Sequence, residues 1–137
     1  MKNYLIILAI TVTTLLCFAC KKEKEESERF KLLTGHEWVS DSLLVDGEDA
    51  SGPGGLLEKF VGDAIFNTDG TGTFGQYEGT WYFSNGEKDI TINSSSLAFP
   101  LTCRIVELTS SSFKITTNFP TGKEGESMVI RITFKPK

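Results

Sequence analysis

The sequence predicts an all-β protein, an eight-stranded antiparallel up-and-down barrel preceded by a short N-terminal helical turn, and three observations carry that prediction. From Trp38 onward apolar and polar residues alternate with a period of two, and no window sustains the three-four spacing of an amphipathic helix. The alternating runs are joined by Asp-Gly and Asn-Gly pairs, which accept the positive φ of tight turns and so make successive runs antiparallel partners. The runs are evenly spaced and end almost at Lys137, and a meander of this kind removes its exposed edges by closing on itself.

Taken in chain order, Glu28 to Thr34 form the helical turn. Its Phe30, Leu32 and Leu33 cover the open bottom of the barrel, and Gly35 stops it. Strands follow over Glu37 to Val45, Phe60 to Asn67, Thr71 to Tyr77, Glu78 to Ser84 and Asp89 to Asn93, with Thr68-Asp69-Gly70 and Ser84-Asn85-Gly86 as hairpin turns. In the strand from Leu101 to Leu108 the phase changes: Leu101, Cys103 and Ile105 share one face, Val106 and Leu108 the other. Either a β-bulge or a two-sided strand end accounts for this. Thr109 to Ser112 supply a turn. Beyond it Phe113, Ile115 and Phe119 oppose Lys114, Thr116 and Asn118, and in the last strand Met128, Ile130, Ile132 and Phe134 oppose Arg131, Thr133 and Lys135. The inward set is Trp38, Phe66, Phe74, Trp81, Phe83, Ile90, Ile92, Phe113, Ile115, Met128, Ile130, Ile132 and Phe134. The loop from Glu48 to Gly55, with Ser51-Gly52-Pro53-Gly54-Gly55, is the candidate lid.

The N-terminus carries an address. Met1-Lys2-Asn3 precede an apolar run from Tyr4 to Ala19 that falls short of the ~20 residues needed to span a bilayer, so a secretory signal fits better than a transmembrane helix. The run ends Leu15-Leu16-Cys17-Phe18-Ala19-Cys20, which resembles the bacterial lipobox, where a small residue precedes a cysteine that is acylated and becomes the mature N-terminus. Residues 1–19 are therefore expected to be a lipoprotein signal peptide and Cys20 the lipidation site. The resemblance implies palmitate and further acyl chains, and several chains anchor far more firmly than one. Residues 20–29, with Lys21-Lys22-Glu23-Lys24-Glu25-Glu26-Ser27-Glu28-Arg29, read as a charged tether. Residues 30–137 form the barrel domain.

Composition narrows the function. The chain has 137 residues, of which 39% are hydrophobic and 23% charged, the profile of one globular domain. Fourteen basic residues against 18 acidic, a net charge of -4, disfavour a nucleic acid partner. With one histidine and three cysteines, two of them in the N-terminal run, neither a disulfide framework nor a multi-thiolate zinc site can be assembled, so no metal and no cofactor is expected.

Motifs that would carry chemistry fail on context. Gly70-Thr71-Gly72-Thr73-Phe74-Gly75 has the G-x-G-x-x-G spacing, but β-formers follow it where a dinucleotide fold needs a helix, and Ser95 stands near the place of the ribose-binding acid. Asn67-Thr68-Asp69-Gly70 lacks the distal glutamate of a calcium loop. His36, the sole imidazole, lies beside Gly35 at the entry to the first strand, the place of an exposed or capping residue. Cys103 alternates with Leu101 and Ile105 and reads as a small buried hydrophobe. Asp69, Glu78, Glu87 and Asp89 fall in or beside turns, where solvation explains them. No catalytic residue is assigned, and an enzyme is not expected.

Four segments in order, Leu32-Leu33-Thr34-Gly35-His36-Glu37-Trp38 with Asp46-Gly47, Phe66 to Phe74, Gly79-Thr80-Trp81-Tyr82-Phe83, and Val106-Glu107-Leu108-Thr109, resemble the small lipocalin-like lipoproteins of Bacteroidota. The resemblance implies a calycin-type barrel whose closed end is plugged by Trp38. The expected function is that of a monomeric envelope lipoprotein, lipid-anchored to the outer membrane on its periplasmic or surface face. Its barrel mouth is expected to bind a small apolar or amphipathic ligand through Trp81, Phe83, Phe113 and Ile130. A solidly packed structural or protein- and glycan-interaction module is the alternative, because an eight-stranded barrel can be either filled or hollow.

Overall fold

The structure, a computed structural model, describes residues 24–137. The signal segment, Cys20 and the start of the tether lie outside the described residues. One short helix, α1 (Glu28–Thr34), leads into nine strands: β1 (Trp38–Val45), β2 (Glu48–Asp49), β3 (Asp63–Phe66), β4 (Thr71–Phe74), β5 (Tyr77–Ser84), β6 (Asp89–Asn93), β7 (Leu101–Leu108), β8 (Phe113–Pro120) and β9 (Ser127–Pro136). Apart from the two-residue β2, which folds back antiparallel on the end of β1, the strands pair antiparallel in chain order. β1 then closes on β9, from Trp38 opposite Pro136 to Val45 opposite Ile130. The result is a closed eight-stranded up-and-down barrel, as the even spacing of turns predicts.

The inward residues form one core. Trp38, Phe66, Phe74, Trp81, Ile90, Ile92, Phe113, Ile115, Ile130, Ile132 and Phe134 are buried, and Phe83 and Met128 pack against them half-buried. The outward partners include exposed Arg131 and Lys135, so the apolar face points inward, the reverse of a lipid-facing barrel. Leu43, Leu57, Phe60 and Ala64 join the core from outside the predicted inward set.

Two bulges keep the alternation in phase. In β7 the register shifts between Ile105 and Glu107, leaving Val106 as the extra residue, 62% exposed, while Ile105 and Leu108 both meet the core. This selects the bulge over the two-sided strand end. A second bulge, at Asp41 in β1, places both Trp38 and Leu43 inside although five positions separate them. The strand expected to begin at Phe60 starts at Asp63, because Glu58–Phe60 form a 3₁₀ turn (η1) that drives Phe60 into the core. Likewise Gly75 and Gln76 leave the sheet as the β4–β5 turn.

The glycines of the G-x-G-x-x-G run serve this geometry. Gly70 turns at φ +85° and Gly75 at φ +62°, and a Cβ on Gly72 would collide with the Ile65 carbonyl oxygen of the adjacent strand. Asp69 caps the same turn, its carboxylate accepting from the Thr71 hydroxyl at 2.6 Å and the Thr71 amide at 2.9 Å, which holds its pKa below the ordinary value.

α1 seals one end of the barrel. The Ser27 hydroxyl accepts from the Phe30 amide at 3.1 Å as an N-cap and donates to Glu87 at 2.6 Å, tying the helix to the β5–β6 turn. Leu33 is buried, and the Trp38 indole N–H donates to the Leu33 carbonyl at 3.0 Å. Gly35 ends the helix at φ -80°, not in the left-handed conformation of the usual glycine stop, and a Cβ there would lie 2.6 Å from the Lys31 carbonyl oxygen. His36 Nδ1 donates to the Leu32 carbonyl at 2.9 Å, satisfying a helix-end acceptor, and its ring packs 5.3 Å from that of Trp38.

Candidate functional site

Opposite α1, the mouth of the barrel is edged by the β1–β3 connection, the β6–β7 loop and the β8–β9 loop. The β1–β3 connection is held down at both ends. Leu57 N–H donates to the Ala50 carbonyl at 3.0 Å, and the Lys59 carbonyl accepts from the Gln76 amide at 2.8 Å. These bonds turn Leu57 and Phe60 inward, where the Phe60 and Tyr77 rings pack at 4.7 Å. Across the opening the uncharged Ser94-to-Pro100 loop lays Phe99 on Phe119, stacked at 5.5 Å.

These residues enclose an apolar groove of about 160 Å³. Its walls are Leu56, Leu57, Phe60 and Tyr77 on one side, Leu97, Ala98, Phe99 and Leu101 on the other, with Phe119 and Ile130 at the strand ends. Leu56 and Phe99 remain 56% and 55% exposed at its rim, although both are large and apolar. Larger hollows lie elsewhere, among them a polar one of about 440 Å³ bordered by Asp89, Thr102, Arg104 and Asn118 and a shallow one of about 300 Å³ over β7 to β9 beside Val106, Lys114 and Arg131. The mouth groove has almost wholly apolar walls, as small-molecule pockets commonly do. Among the described residues Tyr77 is the single titratable side chain in its lining, so the groove presents apolar contact surface without a paired acid and base.

The four residues expected at the ligand site divide. Ile130 lines the groove. Trp81, Phe83 and Phe113 belong instead to an aromatic stack at the α1 end. There Trp81 lies 5.7 Å from Phe30, 5.6 Å from Phe66 and 5.4 Å from Phe83, and Phe113 lies 5.7 Å from Trp38. Alternation identifies inward residues without their height in the barrel, and height depends on strand tilt. The Glu48-to-Gly55 loop leads into the groove wall, but the residues that build the wall come just after it. The signal for the missed residues is apolar side chains in loop sequence, Leu56-Leu57 after a Gly-rich stretch and Leu97-Ala98-Phe99 after a Ser-rich one.

Cys103 is a free, buried cysteine whose thiol pKa is pushed up to about 12, chiefly by burial and secondarily by the charge of Asp89. The residues of the G-x-G-x-x-G and Asn67-to-Gly70 motifs are accounted for as turns.

No protein-family model and no curated protein matches the chain. The fold itself defines the class: a closed eight-stranded all-antiparallel barrel with a helical plug, consistent with a lipocalin-like fold.

Proposed function

We propose that this protein is a non-enzymatic, monomeric envelope lipoprotein, akin to the lipocalin-like lipoproteins of Bacteroidota, that binds a small apolar or amphipathic molecule at its barrel mouth. The apolar groove with Leu56 and Phe99 exposed at its rim carries this reading. A protein with no use for the mouth would gain by making those two residues polar. The lipobox-like segment ending at Cys20 supports the address, an acyl anchor in the outer membrane with the barrel carried on the charged segment that precedes the Ser27 cap of α1.

Binding is tested with the neutral fluorophore N-phenyl-1-naphthylamine. Saturable enhancement is expected with the native protein and a loss of several-fold in affinity with Leu56→Ala/Phe99→Ala, which gives up the stack of Phe99 on Phe119 at a cost of about 1–2 kcal/mol in folding stability, too little to unfold the barrel. Equal binding by both proteins, or none by either, would sink the proposal. The anchor is tested by metabolic labelling with a fatty-acid analogue, which should mark wild type and not Cys20→Ala.

The competing reading, a structural or interaction module, draws on one observation: the groove, about 160 Å³, is smaller than the ~300–1,000 Å³ of ordinary small-molecule pockets. Under that reading native mass spectrometry finds the bare mass alone, and crosslinking in intact cells joins the protein to an envelope partner.

A further inference from the structure

Two of the loops that frame the groove carry a net negative charge. Along the β1–β3 connection stand Asp46, Glu48, Asp49 and Glu58 against Lys59, and in the β8–β9 loop Glu124 and Glu126 against Lys123, whose ammonium lies 3.8 Å from Glu126. The third framing loop, Ser94 to Pro100, has no charge. Several of these carboxylates are fixed in place by backbone amides: Asp46 accepts from Val129 at 2.8 Å, Asp49 from Ser51 at 3.0 Å and Glu58 from Gly54 at 2.9 Å. Ser51 also holds the Asp49 pKa below its ordinary value, so this rim charge persists into mildly acidic solution.

An apolar groove framed in this way favours one kind of occupant. An anionic amphiphile seated with its tail against Phe99 and Phe119 would bring its head group into a field of like charge. A cationic head would meet the opposite net charge of the loops beside the groove, whose field reaches over a Debye length of ~8 Å. We infer that the occupant of the mouth groove is a small cationic amphiphile, with a short alkyl or aromatic part in the groove and an ammonium or guanidinium group facing the acidic loops. The small volume limits the inserted part to a short segment and leaves the head group at the rim. This rests on the proposed binding at the mouth and adds the sign of the ligand's charge.

The test is displacement of N-phenyl-1-naphthylamine from the purified full-length protein by decyltrimethylammonium and by decanoate, both below their micelle concentrations. At low salt the cation is expected to displace the probe at about fivefold lower concentration, the effect of roughly 1 kcal/mol of charge interaction. The preference should shrink toward unity at 0.5 M salt and in Glu48→Gln/Glu124→Gln, whose exposed side chains make no hydrogen bond among the described residues. If the neutral probe binds but decanoate competes as well as the cation, the charge inference is overturned and mouth binding stands. If the neutral probe does not bind at all, both fall.

Discussion

Cys103 shows how one position converts burial into chemistry. Its side chain is 1% exposed, between Ile90 across the β6–β7 ladder and the rest of the core, and its thiol ionises near 12 where an ordinary cysteine ionises near 9.0. A thiol reagent at pH 8 should therefore leave the native protein unlabelled and modify it fully in denaturant; rapid labelling without denaturant would show the site to be open. The sign of the pH dependence follows. Above pH 9 the unfolded chain loses this proton while the native state keeps it, so this group's contribution to stability falls between about pH 9 and 12, by about a kcal/mol per pH unit. Cys103→Ser or Cys103→Ala should flatten that part of the curve. Trp38 combines full burial with the hydrogen bond from its indole N–H to the Leu33 carbonyl. In Trp38→Phe the Leu33 carbonyl loses its donor and a void opens against Phe113, so urea denaturation should report a loss of about 2–4 kcal/mol.

At the scale of elements, the bulge in β7 is the most informative irregularity. Val106 is the unpaired extra residue and points to solvent, with Ile105 and Leu108 on either side packed inward. Deleting Val106 leaves Ile105 inward, Glu107 outward and Leu108 inward, so the deletion variant is expected to fold with a cost below about 2 kcal/mol. Deleting Thr102, which precedes the bulge, reverses the face of Cys103 and Ile105 relative to β6 or forces the ladder to slip, and should abolish folding. Equal tolerance of the two deletions by thermal unfolding would refute this account of β7. Much of this was legible in advance, since the switch from Cys103 and Ile105 to Val106 and Leu108 marks a slip in phase. The bulge at Asp41 was less so, because Trp38 is followed by Val39, Leu43, Leu44 and Val45, and several registers fit that run equally well.

For the molecule as a whole, closure of β1 on β9 is the decisive contact. It joins residues about 90 positions apart and removes the two sheet edges that the meander would otherwise expose. Removal of the residues after Arg131 strips β9 of its pairing with Trp38 to Leu43 of β1 and uncovers Phe113, which stacks on Phe134 at 5.3 Å. The truncated chain is expected to lose cooperative thermal unfolding, and in the intact protein hydrogen exchange should be slowest in β1, β8 and β9. Fast exchange in those strands would show that closure does not control the fold.

The sequence alone determined the architecture and most of the inward set, because alternation, turn chemistry and strand spacing are local properties that each short segment displays by itself. It also displayed the candidate address at Cys20, which lies outside the described residues. Tertiary structure decided where along the barrel axis each inward residue lies. The register of the closed sheet set Trp81, Phe83 and Phe113 at the plugged end with Trp38. It brought Phe60, Phe99 and Phe119, scattered over loops and strand ends, to the mouth. Height in a barrel is set by the register of every strand at once, and no single segment carries that information.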